Sequence, residues 1–175
     1  MGFEKRIEKG ESGLAALELM LSLPILALVF VGIAAMVTSA ARNYMAQRVQ
    51  AEVQQEVQQA FMRVVDDCMA ATSLRSERDG QYIRLYDGDR LVKLYFVNED
   101  SRRVRKLVEN LANFPMTGNH EWAMVEVTSF GAEEVDPLSR PGLYRIWLEA
   151  KSTTAGSVPY GLATEIYLPP QGGHP

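Results

Sequence analysis

Cysteine is almost absent: Cys68 stands alone among 175 residues, which excludes an intrachain disulfide and a cysteine-built zinc site. Its neighbours Val64, Val65 and Met69 make it a small buried residue of a helix. Histidine is nearly as scarce, and His120 and His174 have no ligand cluster near them in sequence. No glycine-rich phosphate loop and no serine-centred elbow occurs. Dense basic blocks are missing too: Arg102, Arg103, Arg105 and Lys106 sit beside Glu99, Asp100 and Glu109, and the net charge is -4. Such a balance reads as a solvated surface and argues against nucleic acid as a partner. These absences leave no catalytic group, metal site or cofactor to predict. Asp66-Asp67 reads as a solvent-facing pair on a helix. Asp87, Asp89, Glu99 and Asp100 lack the fixed spacing of a calcium loop and read as turn residues; a calcium site there requires them to meet across a hairpin.

Two further absences define what is present. Residues 19–37 carry no charge, and residues 33–78 contain neither proline nor glycine. About 20 apolar residues span a bilayer as a helix, so the first stretch can cross one. Lys5, Arg6 and Lys9 precede it and Arg42 and Arg48 follow, a slight bias that puts the N-terminal end in the cytoplasm. Within the apolar run of residues 14–41 the only charge is Glu18. A carboxylate in hydrocarbon costs roughly 2.5–3.5 kcal/mol on insertion scales, so it calls for a partner. A secretory signal cut at "VTSAA" (residues 37–41) is a competitor, but its apolar region is longer than usual and it leaves Glu18 unexplained. A cut after Gly13 explains it. Leu14 then becomes a new N-terminus, and its positive amine can meet the Glu18 carboxylate of a neighbouring subunit. In a low dielectric such a pair is strong when formed and costly when half-formed.

The short charged leader, Gly13, Leu14-Ala15-Ala16-Leu17, Glu18 and the apolar run together resemble the class III signal of type IV pilins and pseudopilins. The resemblance implies a prepilin peptidase that cuts after Gly13 and methylates Leu14, with Glu18 acting in assembly. It also implies other pilin or pseudopilin subunits, an inner-membrane assembly platform and the lipid bilayer as partners. The commonest pilins begin with phenylalanine where this chain has Leu14, and carry their proline further along the helix. Pro24 in "LSLP" is instead similar to the tight-adherence pseudopilins. Pro24 removes one helical hydrogen bond and so loosens or bends the helix; a tolerated membrane proline and a functional hinge are both open.

Beyond residue 41 the pattern turns amphipathic. Val49, Val53, Val57 and Phe61 recur every four residues, continued by Val64, Val65 and Cys68, with glutamines and glutamates between. One helix over residues 14–71 is expected, about 85–90 Å long at 1.5 Å per residue. Its first half is apolar all round and its second half has one buried face; a coiled-coil stalk is the alternative for the second half. "TSLRSERDG" breaks the pattern. Residues 82–86 and 90–97 then read as a hairpin turned by Asp87-Gly88, with Arg84 and Lys93 outward if Val92, Leu94 and Phe96 face a core. Residues 122–130, 143–150 and 162–168 are further strand candidates, separated by turn-formers. Residues 104–111 fit a helix or a strand equally.

The expected architecture is α+β: a leader (1–13), a transmembrane helix (14–41), the amphipathic half of the same helix (42–71), an antiparallel β head (72–168) and a disordered tail (169–175). The head segments "YDGDRLVKLYFVNED" and "LATEIYLP" resemble PilW-like and J-type minor pseudopilins, with a tight-adherence subunit the rival. The implied function is a minor subunit of a type IV filament system (a pilus, a secretion pseudopilus or a DNA-uptake machine). Its place is the bacterial inner membrane, single-pass, with the head outside the cytoplasm or in an extracellular filament. The alternative is a membrane-anchored extracytoplasmic binding or sensory module whose helix is only an anchor. Nothing argues for an enzyme.

Overall fold

The computed structural model describes residues 4–77, 81–99, 105–109, 114–117, 125–154 and 156–169, without the side chains of residues 4–12, Lys106 and Phe114. Expectations for His120, His174, Arg102, Arg103, Asp100 and residues 170–175 lie outside the described residues. The fold is the α+β one expected, a single long helix followed by two antiparallel sheets. Tertiary contacts divide the chain into Met1–Met45 and Ala46–Pro175.

Helix α1 runs over Glu4–Ala70, with Pro24 inside it. It therefore starts ten residues before Leu14, since 14 − 4 = 10. Glu, Lys, Arg and Ile are adequate helix formers, and Gly10 costs only about 1 kcal/mol against alanine. No glycine or proline ends the helix. Its last turn closes with the Ala71 amide donating to the Asp67 carbonyl at 3.1 Å. The chain is then drawn off by Thr72, whose amide donates to the Tyr86 carbonyl at 2.8 Å. The Thr72 hydroxyl donates to the same carbonyl at 2.9 Å and accepts from the Gly88 amide at 2.7 Å.

The first sheet comprises β1 (Ser73–Glu77), β2 (Tyr82–Asp87), β3 (Arg90–Glu99), β4 (Arg105–Glu109) and the two-residue β5 (Phe114–Pro115), in that order. The β2–β3 hairpin forms as expected, but its two-residue loop is Gly88-Asp89, closed by the pair Asp87↔Arg90. Gly88 has φ +60°, the left-handed backbone such a loop needs at its first position. The sequence of β1 reads only as a break in the pattern. It is a strand: an edge strand with three exposed residues, Arg75, Ser76 and Glu77, carries little apolar signal. Residues 105–109 settle as strand β4, paired antiparallel with β3.

The face that β3 turns inward corrects the expectation. Tyr95 is fully buried, Val92 is 50% exposed, and Phe96 stacks on Tyr82 on the other side of the sheet. Leu94 is buried, but on that outer side, since successive residues alternate faces. Lys93 therefore points inward with Tyr95, and Asp67 on α1 faces the sheet and not solvent. The reason is pairing: each charge supplies the counter-ion that lets the other be covered. Arg84 stays on the outer side, 3.3 Å from Glu77.

The second sheet is a meander of β6 (Val125–Asp136), β7 (Arg140–Ser152) and β8 (Tyr160–Tyr167). β6 carries two irregularities, at Val127/Ser129 and Glu134/Asp136. Its turn into β7 is held by Asp136, whose carboxylate accepts from the Ser139 amide at 3.0 Å. That bond holds the Asp136 carboxyl below its ordinary value. β6 crosses the first sheet: the Arg105 guanidinium on β4 donates to the Thr128 carbonyl at 3.1 Å, and the Ser76 hydroxyl on β1 donates to the Ala132 carbonyl at 2.5 Å. β1 and β4 are not neighbours, so β6 must run across their strands.

The core lies between the second half of α1 and both sheets. The expected stripe is its spine: Val53, Val57, Phe61, Val64 and Cys68 are buried, with Ala60 added. They meet Leu74, Ile83, Leu85, Tyr95 and Leu107 from the first sheet and Val127, Phe130, Ile146 and Leu148 from the second. Fully burying one such valine stabilises by about 1.5–3 kcal/mol. Polar contacts edge this seam. The Gln50 amide donates to the Val158 carbonyl at 3.2 Å, and the Gln58 amide to the Tyr160 hydroxyl at 3.0 Å. The glutamine-rich half of α1 is thus a roof over sheets and not a free stalk.

Candidate functional site

Gly13, Leu14, Glu18 and Pro24 all lie on the exposed first part of α1. A helix is the only way a continuous apolar run can satisfy its own backbone without water or neighbours. The hydroxyls in and after this run also bond internally: Ser22 donates to the Leu19 carbonyl at 3.2 Å and Thr38 to the Ala34 carbonyl at 2.8 Å. Pro24 has no amide hydrogen, so the carbonyl one turn before it, on Met20, loses its helical donor. The apolar side chains from Leu14 (71% exposed) to Val37 have no protein cover, and α1 is long and apolar enough to cross a membrane. Apart from its chain neighbours and its own helix backbone, a Cβ at Gly13 would meet no atom within 4 Å.

Glu18 has no charged or hydrogen-bonded partner among the described residues. On a helix it lies one turn beyond Leu14 and on the same face. The backbones of Leu14 and Glu18 stand about 6 Å apart along the axis, and helical side chains lean towards the N-terminus, so a freed Leu14 amine would lie on the side to which this carboxylate tilts. What the segment offers chemically is an uncompensated acid in an apolar surface, five residues after an exposed glycine.

A second polar cluster, which the sequence did not reveal, lies under the end of α1. The Lys93 ammonium is 2.6 Å from Asp67 Oδ2 and 3.4 Å from Glu109 Oε1. Arg63 reaches Glu109 Oε2 at 2.7 Å, and the buried Tyr95 hydroxyl donates to Asp67 Oδ2. Glu109 is the most covered of the charges, its side chain 10% exposed. Burial, then the bond to Asp67, pushes the Tyr95 phenol well above its ordinary value. The one signal that could have found this cluster is Lys93 itself, a lysine standing inside the apolar run "LVKLYFV". Next to it Cys68 is buried, and desolvation followed by the Asp67 charge pushes its thiol up to about 12. The thiolate is thereby disfavoured, and with it nucleophilic chemistry.

The remaining acids do not converge. Asp87 and Asp89 lie at the hairpin turn, whereas Glu99 closes the opposite end of β3 against Arg105. A strand of this length puts about 30 Å between them. Among the described residues no group of three or more potential ligands could hold a metal ion. Across the outer face of the second sheet, Arg145 lies between Glu133 at 3.8 Å and Glu165 at 3.0 Å. The Trp147 indole donates to the Ser129 hydroxyl at 2.9 Å. Compared with family models, curated proteins and solved structures, the chain finds no match.

Proposed function

We propose that the chain is a minor pilin or pseudopilin subunit of a type IV filament system, held in the bacterial inner membrane by α1 with its head outside the cytoplasm. A prepilin peptidase cuts after Gly13 and methylates Leu14. The processed chain joins other pilin-like subunits through the apolar part of α1, with Glu18 taking a neighbour's terminal amine. Pro24 loosens the helix within the part that has to adapt to those neighbours. The single observation that supports this reading most is Glu18: an acid with no partner among the described residues, on an uncovered apolar helix, five residues after an exposed glycine. Its own Leu14 amine, one turn away, competes for the same carboxylate. A neighbour's amine therefore engages it only when the two helices stack with matching stagger.

Processing is the direct test. The chain is expressed in cells with and without a prepilin peptidase, as wild type and as Gly13→Val, and each product is read by N-terminal sequencing and intact mass. The wild type with peptidase should begin at a methylated Leu14, and Gly13→Val should keep its leader. A product beginning at Ala40 or Ala41 would instead establish a secretory signal and refute the proposal.

A further inference from the structure

The stripe that seats α1 on the sheets repeats every four residues, and this repeat leaves its alignment ambiguous. A slip of one helical turn moves the helix about 6 Å along its axis. If each residue takes the place of the one four before it, Val57 replaces Val53, Phe61 replaces Val57, Val64 replaces Ala60 and Cys68 replaces Val64. Every buried position stays apolar except that of Cys68, which Thr72 takes. In the opposite slip the only polar intruder is Glu56, at the place of Ala60. The link through Thr72 to the hairpin resists either slip, but fraying or extending the helix end by a turn can relieve it.

We infer that Arg63, Asp67, Lys93, Tyr95 and Glu109 form a register key that selects one alignment of α1 on the first sheet. Tyr95 and Glu109 are direct partners across β3 and β4, and Lys93 lies two residues from Tyr95 on the same face. They present in sequence a cation, a buried hydroxyl donor and an anion. α1 answers with Asp67 and, one turn earlier, Arg63. Because the two helical charges are opposite and one turn apart, a slip of one turn cannot match. One direction puts Arg63 where Asp67 was, against Lys93, and leaves Gln59 opposite Glu109. The other puts Ala71 at the place of Asp67 and Asp67 against Glu109. Either way the Tyr95 hydroxyl, on a fully buried residue, loses its acceptor, and a stranded buried donor is costly. The apolar stripe supplies adhesion and the charges supply position, the role buried polar groups serve best.

The test places nitroxide labels on the full chain in detergent micelles, at Gln55→Cys and Val92→Cys, both exposed, and measures their separation by double electron–electron resonance. Cys68 is buried and stays unlabelled. The wild-type background should give one distance. Exchanging the helical charges (Arg63→Asp with Asp67→Arg) should give a displaced or second distance, shifted by up to about 6 Å, because the slipped helix then offers its new aspartate to Tyr95 and Lys93. A variant with the key removed (Arg63→Gln, Asp67→Leu, Lys93→Met, Tyr95→Phe, Glu109→Gln) should fold and give two distances. If the exchange variant does not fold, the variant without the key decides alone. An exchange variant holding only the wild-type distance, or a keyless variant holding one distance, overturns the inference.

Discussion

Replacing Asp67 by alanine strips the acceptor from Tyr95 and the nearest counter-ion from Lys93, and the cost follows from what each loses. The Tyr95 hydroxyl belongs to a fully buried residue, so stranding it costs about 1–3 kcal/mol. Lys93 is 25% exposed and keeps Glu109 at 3.4 Å, so its loss is at most about 1 kcal/mol. Alanine returns about 0.5 kcal/mol through better helix propensity. The expected destabilisation is therefore about 0.5–3.5 kcal/mol. Tyr95→Phe removes the donor and leaves Asp67 with Lys93, for about 1 kcal/mol. Once Asp67 is gone, deleting the stranded hydroxyl relieves its penalty. The double variant should thus cost about 2–4 kcal/mol less than the sum of the singles, the relieved penalty plus the bond that is no longer there to lose. Urea unfolding of the head in detergent, followed by tryptophan fluorescence, measures all four corners of the cycle. Additive costs, or an Asp67→Ala penalty below about 0.5 kcal/mol, would show that the network carries no net stabilisation and refute the reasoning.

Two other outcomes are expected. The head should lose stability as pH rises from 9.0 towards about 12, because the unfolded chain releases the Cys68 proton near 9.0 while the folded chain holds it to about 12. That stability is fully present below pH 9, where both states bind the proton. Cys68→Ala should flatten the early part of the decline, and Tyr95→Phe the part above pH 10.0, where an ordinary phenol ionises; a flat alkaline profile in the wild type would contradict both. Glu18→Gln should leave insertion and head folding intact but lower recovery in sheared filaments several-fold, since the amide keeps the shape and loses the charge. Recovery equal to wild type would remove the support for a Glu18–amine pair.

Much of this protein was legible in its sequence because periodicity reports directly on burial. The uninterrupted stretch after Gly32 and the stripe from Val49 to Cys68 dictated one long helix with a single covered face in its second half, and α1 has it. Asp87-Gly88 between two runs of branched and aromatic residues dictated the β2–β3 hairpin, which is displaced by one residue only because Gly88 must take the first loop position. The charge-free run around Pro24 and the lone acid at Glu18 were equally plain, since no folding is needed to see a missing counter-ion. What only the tertiary structure decided concerns partners far apart in the chain. β1 has three exposed residues because it is an edge strand held from one side, so its sequence looks like a loop. Residues 105–109 became a strand because β3 offered an edge to pair with, not because their own pattern excluded a helix. Lys93 turned inward because Asp67, 26 positions earlier, and Glu109, 16 positions later, were brought to it by folding. An apolar pattern states which face is covered, whereas the place of a charge depends on where its counter-charge arrives.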